Sequence, residues 1–429
     1  MKRSALPRQW SMDSIQHSIF LMRRRISWRK AIQFLLIVAV SVSLLYALSV
    51  NLFVVSTHKY IHYSGLDLDV VAKPPLVARA VRAQSHEPPL LAFTILQIPD
   101  MHYTGNPNHP CRNPPPSEYP CTEANMTAFV ASLLDDVKPD FVVFTGDQIE
   151  SVEVHQSVYQ VNQALYAFSK GTIERNIPWA MVFGNHDQGD SMSKREMFRR
   201  LNAMPLSYSE FGPKTSTSRV GNYHLQIDAP VAGTWGPSGK ALLRLYFLDS
   251  EDGQFTPDQQ THLLDVAAQH AHQHVPALVF FHNPLPEYAE FESAIKNDLP
   301  RQGHLGEAVT HAHTNSHLFE TILQMGDVKA TFAGHDHLND YCFRKDSVHL
   351  CYGGGVGYGA AYGNDAIPRR ARVIEWALAP REEVITTHLV QRSNTGSITH
   401  GESYLIYQRK NLKQSGIDGG GGLRGGRDS

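Results

Sequence analysis

Residues 140–147, DFVVFTGD, and 179–187, WAMVFGNHD, decide how this chain is read. Each is a short run of branched and aromatic residues that stops at a glycine and then delivers Asp, or Asn and His. An unbroken apolar run of this length suits a strand covered on both faces, as in a parallel sheet flanked by helices. Four further short apolar runs read as strands of the same kind: LLAFTILQ (90–97), LLRLYFLD (242–249), ALVFFH (277–282) and VKATFAG (328–334). Helical candidates lie between them at 123–137, 154–170, 256–272 and 316–325. The third has a clear start, with Thr256 as N-cap, Pro257 at the first helical position and Gln259 behind it. After Tyr352 come Gly-rich turns and three more strand-like runs, ARVIEWAL, EVITTHLV and SYLIYQ. The alternation predicts an α/β fold.

The polar residues sit where the apolar runs end. The first run leads into Asp100-Met101-His102, the next into Gly146-Asp147, and the third into Gly184-Asn185-His186-Asp187. Two later runs lead into His282-Asn283-Pro284 and Gly334-His335-Asp336-His337. In α/β folds the crevice beyond the carboxyl ends of the strands is where ligands bind, because the loops converge there. Taken singly, each motif is ordinary turn chemistry, an Asx-turn or a helix cap. Taken in order, they bring two carboxylates, one amide and four imidazoles to one edge, with His186 to spare. Hard oxygen and borderline nitrogen donors without a thiolate suit Mn, Fe, Zn or Mg. The remaining histidines read differently: His262, His270 and His272 as a solvated helix face, and His304, His311, His313 and His317 as an exposed loop. Tyr103, Tyr288 and Tyr341 are either walls of an acceptor pocket or core packing.

With 39 Lys and Arg against 41 Asp and Glu, the net charge is −2, which gives no basic footprint for nucleic acid. Residues 31–55, AIQFLLIVAVSVSLLYALSVNLFVV, carry no charged side chain. Such a run predicts a transmembrane signal-anchor helix. Arg23, Arg24, Arg25, Arg29 and Lys30 precede it, which places the N-terminus in the cytosol and everything after it across the membrane. The expectation is a single-pass type II protein of the secretory pathway. Residues 1–30 then form a basic cytosolic tail, 56–88 a stem, 89–412 one large domain, and 413–429 a flexible Gly-rich tail. The four cysteines fall into two local pairs, Cys111 with Cys121 and Cys342 with Cys351, neither with CxxC spacing. Two disulfides are expected, consistent with an oxidising compartment. Asn125-Met126-Thr127 is an N-glycosylation sequon at the start of a predicted helix.

The set of motifs resembles the calcineurin-like metallophosphoesterase superfamily, from about Leu90 to Tyr362. The flanking residues are similar to its purple-acid-phosphatase-like subgroup: PDMHYTG, PDFVVFTGDQI, GNHDQ, FFHNPLPEY, GHDHLNDYC and LCYGGGVGYG. The resemblance implies a four-layer α+β sandwich of two mixed sheets flanked by helices. It implies two metal ions, one held by Asp100, His102, Asp147 and His337 and the other by Asp147, Asn185, His282 and His335. Asp147 would bridge them, with a hydroxide as the other bridge and the attacking nucleophile. His186 would be the general acid, with Asp187 as a candidate partner behind it. The chain departs from true purple enzymes at two positions. Glu150 stands where they place a Tyr, three residues after the bridging Asp, and His102 has no counterpart in their first motif. Members of this subgroup are sometimes labelled inactive, yet all seven ligand positions are present here. The implied activity is hydrolysis of phosphomonoesters, phosphoprotein included. Alternatives are a phosphodiesterase or nucleotide pyrophosphatase, or a membrane-tethered binding protein without catalysis.

Overall fold

The computed structural model describes residues 28, 30, 32–46, 48, 73–81, 90–213, 219–233, 235–393 and 395–410. The chain divides into two units, Met1–Asp69 and Val70–Ser429. In the first, residues 28, 30, 32–46 and 48 are helical. Among the described residues no helix is long and apolar enough to cross a membrane. The transmembrane helix expected over 31–55 is therefore not found, and its residues 49–55 lie outside the described residues, as do most of the tail and stem and the Gly-rich 413–429.

Among the described residues the second unit holds sixteen strands in two mixed sheets. The first ten strands are β1 (Leu76–Val77), β2 (Arg79–Val81), β3 (Leu90–Ile98), β4 (Phe141–Thr145), β5 (Trp179–Val182), β6 (Tyr223–Asp228), β7 (Ala241–Phe247), β8 (Ala277–Phe280), β9 (Arg301–Gln302) and β10 (Val328–Ala333). A hairpin follows, β11 (Cys342–Lys345) and β12 (Val348–Tyr352), and then β13 (Arg370–Ala379), β14 (Glu382–Arg392), β15 (Ile398–His400) and β16 (Tyr404–Lys410). One sheet runs β1-β6-β7-β8-β10-β12-β11-β9; the other runs β15-β14-β13-β3-β4-β5, with β16 on β14 and β2 on β3. The strands that end in the polar motifs are parallel neighbours, β3 with β4 and β4 with β5 in one sheet, β8 with β10 in the other.

Why such a run is apolar on both faces is visible in β8. Leu278 and Phe280 face the core between the sheets, while Ala277 and Val279 face a second core under the helices. From Ala330 onward β10 alternates in the same way, with Ala330 and Phe332 inward and Ala333 outward, while Val328, before a shift in register, also faces outward. Stacked rings of Phe247, Phe280 and Phe332 tie β7, β8 and β10 together at 5.5 and 5.3 Å between centroids. The flanking helices are α1 (Glu123–Val137), α2 (Val158–Glu174), α3 (Lys194–Asn202), α4 (Pro257–His270), α5 (Phe291–Lys296) and α6 (Leu318–Met325).

The expected strands are all present, and so is the α4 cap at Thr256, whose side chain accepts from the Gln259 backbone N–H. α2 begins four residues later than the sequence suggested, because Ser157 and Gln160 form a capping box there. α3 was not foreseen, although Ser193 and Glu196 form the same box at its start. Part of the expected stem, at 76–81, contributes β1 and β2, which pair with β6 and β3. Both expected disulfides are formed, Cys111–Cys121 and Cys342–Cys351. The sequon gains no support. Asn125 sits at the third position of α1, where its carbonyl oxygen accepts from the Thr122 backbone N–H, and the Thr127 hydroxyl is bonded to the buried Tyr103 hydroxyl.

Candidate metal centre

The loops leaving β3, β4, β5, β8 and β10 meet at one place, and unusual backbone turns their side chains inward. Asp100, His102, Asp147 and His335 all have positive φ, between 51° and 77°. This left-handed conformation costs a residue with a Cβ roughly 1–2 kcal/mol and clusters at functional sites. The glycines beside them are required by contact. A Cβ on Gly146 would lie 2.4 Å from His282 Nδ1, and one on Gly184 would lie 2.1 Å from Asp147 Oδ1.

Asp147 is buried at the centre. Its Oδ2 lies 3.1 Å from His282 Nε2 and 3.5 Å from His102 Nε2, while its Oδ1 accepts the His186 backbone N–H at 2.8 Å. On one side Asp100, His102 and His337 gather. His102 Nε2 and His337 Nε2 are 3.2 Å apart, and His337 Nε2 is 3.7 Å from Asp100 Oδ1. On the other side, His282 Nε2 lies 3.1 Å from Asn185 Oδ1 and 3.3 Å from His335 Nδ1. The outer nitrogens are held by carbonyls: His282 Nδ1 donates to Thr145 O and His337 Nδ1 to Tyr362 O, each at 3.0 Å. That fixes the tautomers with lone pairs on Nε2, pointing inward.

Groups of Asp and His here, buried except for the half-buried His335, are each close enough to hold a cation, Asp100 with His102 and His337, and Asp147 with His282 and His335. The surroundings fit that use. Asp100 Oδ2 is buried without a hydrogen-bond partner. Inward-facing nitrogens approach each other closely, and no Lys or Arg pairs with Asp100 or Asp147 among the described residues. Without a cation, protons take its place. Burial works against charge on His282, but Asp147 and Asp100 raise it to about 9. Burial, aided by the charge on His282, holds His335 down at about 3. Burial also pushes Asp100 up to about 7. Asp147 stays well below the usual carboxylate range despite its burial, because of His282 foremost.

Two acidic residues support this arrangement. Asp187 does not pair with His186 as expected. Its carboxylate instead accepts four backbone N–H groups, of Asp147, Gln148, Ile149 and Gly184, at 2.7–3.0 Å. It thereby pins the β4 loop to the β5 loop. The partner of His186 is Glu150, whose Oε2 lies 2.9 Å from His186 Nδ1 and 2.7 Å from His102 Nδ1. Its Oε1 caps the backbone of Val152 and Glu153. Burial opposes charge on His186, yet the bond to Glu150, with the charge of Asp147, raises it to about 9. Sequence reasoning saw Glu150 only as a departure from a pattern. Its place three residues after Asp147, on the same turn, was the available signal.

The site opens into a cavity of about 210 Å³ lined by His102, Asp147, Glu150, His186, His335, Asp336 and His337, together with Arg112, Glu153, Thr310, Ala360 and Tyr362. Tyr362 stacks on His337 at 3.8 Å between ring centroids. The three tyrosines weighed earlier are packing: Tyr103, Tyr288 and Tyr341 are buried and bonded to Thr127, Thr331 and the Tyr288 carbonyl. His304, His313 and His317 are exposed, as expected of a loop. Arg112, Glu153 and Tyr362 were not foreseen, since only folding brings them to this cavity.

Residues 93–339 match the calcineurin-like phosphoesterase family, and the chain belongs to it. Among its relatives is the probable inactive purple acid phosphatase 29 of Arabidopsis thaliana, 33% identical over 72% of this chain and 83% of that protein. Another is Phosphatase DCR2 of Saccharomyces cerevisiae, 33% identical over 66% of this chain and 51% of that one. A dimetal phosphatase from Danio rerio aligns over 73% of this chain and 98% of its own, with a TM-score of 0.48 and 15% identity.

Proposed function

We propose that this chain is a dinuclear metal-dependent phosphatase acting on phosphomonoesters, phosphoproteins among them. The observation that carries the reading is the shared carboxylate. Asp147 lies between two groups of donors, and His186 stands beside them at the cavity. Asp100, His102, Asp147 and His337 would hold one cation, and Asp147, Asn185, His282 and His335 the other, drawn from Mn, Fe, Zn or Mg. Bound there, the pair supplies an activated water and neutralises the phosphoryl oxygens for in-line attack.

The protein's own residues do the rest. His186 keeps its Nδ1–H on Glu150, so its Nε2–H is the proton available to the departing oxygen. Glu150 orients that ring and the His102 ring together. Asp187 keeps the backbone of the two loops fixed, so the groups need no rearrangement as charge develops. Several relatives carry "probable inactive" in their names. The unbroken donor set in this chain supports activity. Two disulfides support a domain that folds in an oxidising compartment. Attachment through residues 31–55 is part of the same proposal, and alkaline carbonate extraction of membranes tests it: release into the soluble fraction refutes it.

The deciding experiment is hydrolysis of an aryl phosphomonoester and the matching diester by the full-length chain with added Mn, with chelator, and with Asp147→Asn. Chelator-sensitive monoester turnover that the variant lacks is the expected result. Diester-only turnover would make it a phosphodiesterase. No turnover with metal still bound would leave a binding protein on a phosphoesterase fold.

A further inference from the structure

Arg112 is the one Lys or Arg side chain lining this cavity among the described residues. Its backbone is fixed on both sides. The Arg112 N–H donates to Tyr358 O at 3.1 Å, and Arg369 donates to Arg112 O at 2.9 Å. The preceding residue is tied by the Cys111–Cys121 disulfide. The side chain is held far more loosely. Its partner is Glu153 at 2.6 Å, and the two side chains are 49% and 51% exposed. An ion pair so open to water is readily exchanged for another.

The position of this pair in the site gives it a meaning. The Glu153 backbone N–H is held by Glu150 Oε1 at 2.6 Å, and Glu150 Oε2 holds His186. Arg112 thus lines the same cavity as His186, the acid of the proposed reaction, and is linked to it through Glu153 and Glu150. At rest Glu153 neutralises Arg112, so an ester with an uncharged leaving group gains nothing from it. An oxyanion on the leaving group would take over the place of the Glu153 carboxylate, and the planar guanidinium fork suits phosphate or carboxylate in two parallel hydrogen bonds.

We propose that Arg112 reads a second oxyanion on the leaving group, so that the preferred substrates are phosphoesters whose leaving portion carries its own phosphate or carboxylate. This rests on the phosphoester-hydrolase reading above. In the reaction the bond from phosphorus to the leaving oxygen breaks and a bond to the water oxygen forms. The leaving oxygen takes its proton from His186 Nε2, and the second oxyanion keeps its charge throughout. Arg112 thus holds substrate and first product alike, which makes such products competitive inhibitors.

The test is equilibrium binding of three non-hydrolysable probes to the metal-loaded full-length protein by calorimetry: propylphosphonate, 2-carboxyethylphosphonate and propane-1,3-bisphosphonate. In the wild type at least one doubly functional probe binds about tenfold tighter than propylphosphonate, the worth of one good charge-assisted contact. Whether it is the carboxylate or the bisphosphonate decides which oxyanion is read. Arg112→Ala brings that ratio close to one, and Glu153→Gln, which frees the arginine, raises it. A ratio unchanged in Arg112→Ala overturns the proposal while the phosphoester reading stands. Failure of propylphosphonate itself to bind would sink both.

Discussion

Glu150 carries more of the site than its position in the chain suggests. One oxygen of a buried carboxylate faces two imidazoles, His102 at 2.7 Å and His186 at 2.9 Å. A carboxylate behind a ligating histidine strengthens and orients it, and its loss typically lowers metal affinity about 10–100-fold. Glu150→Gln should therefore weaken metal binding by that order, measured by competition with a chromophoric chelator, and slow turnover even at saturating metal. An affinity equal to the wild type would remove Glu150 from this role. His186 is separable from the metals, because it offers a ring nitrogen to the cavity and only its backbone to Asp147. His186→Ala should keep its metals while losing about 10²–10⁴-fold in turnover of a poor leaving group, the usual worth of a general acid. Metal analysis beside the rate separates that outcome from simple loss of the site.

The β11–β12 hairpin shows how an element can set the acid limit of the fold. Its strands pair Arg344 with His349 directly across. His349 is buried, and the Tyr404 hydroxyl, which gives its own proton to Pro300 O, can only accept from His349 Nδ1–H. Burial first, and then the Arg344 charge, push the His349 value down to about 4. The unfolded chain binds this proton near pH 6.5. Between those two values the unfolded state holds the extra proton, so stability is full above pH 6.5 and falls as the pH drops toward 4. The loss is on the order of 2–3 kcal/mol by the bottom of that window. His349→Gln keeps an amide donor but does not titrate. Its midpoint of urea unfolding should fall less than that of the wild type between pH 7 and pH 4.5, and equal losses would refute the assignment.

At the scale of the whole molecule, the two sheets meet around a buried set of carboxylates and imidazoles that only protons or cations can neutralise. Metal that binds the native state alone stabilises it by mass action, about 2.7 kcal/mol per site at a concentration a hundredfold above Kd. Chelation should lower the melting temperature, added Mn should restore it, and Asp147→Asn should show neither effect. A midpoint that ignores chelator in the wild type would argue against resident metal.

Much of this was written in the chain locally. Apolar runs with polar residues at their ends identify the strands and the edge where the site lies, because burial on both faces selects apolar residues, as along β8. Capping residues mark the start of α4, and neighbouring cysteines find each other across short loops. The donors themselves could be picked out, since the chemistry of metal binding restricts their types. What the sequence could not settle depends on distance in space. Asp187 serves the backbone of the β4 and β5 loops rather than His186, because its carboxylate reaches four N–H groups only once those loops lie side by side. Tyr362 stacks on His337 although the loop that bears it begins beyond the last ligand strand. Arg112 meets Glu153 across a separation of 41 residues. Periodicity and turn chemistry act over a few residues, so they determine elements and the identity of donors. Which side chains become neighbours around the cavity is decided by how the two sheets pack.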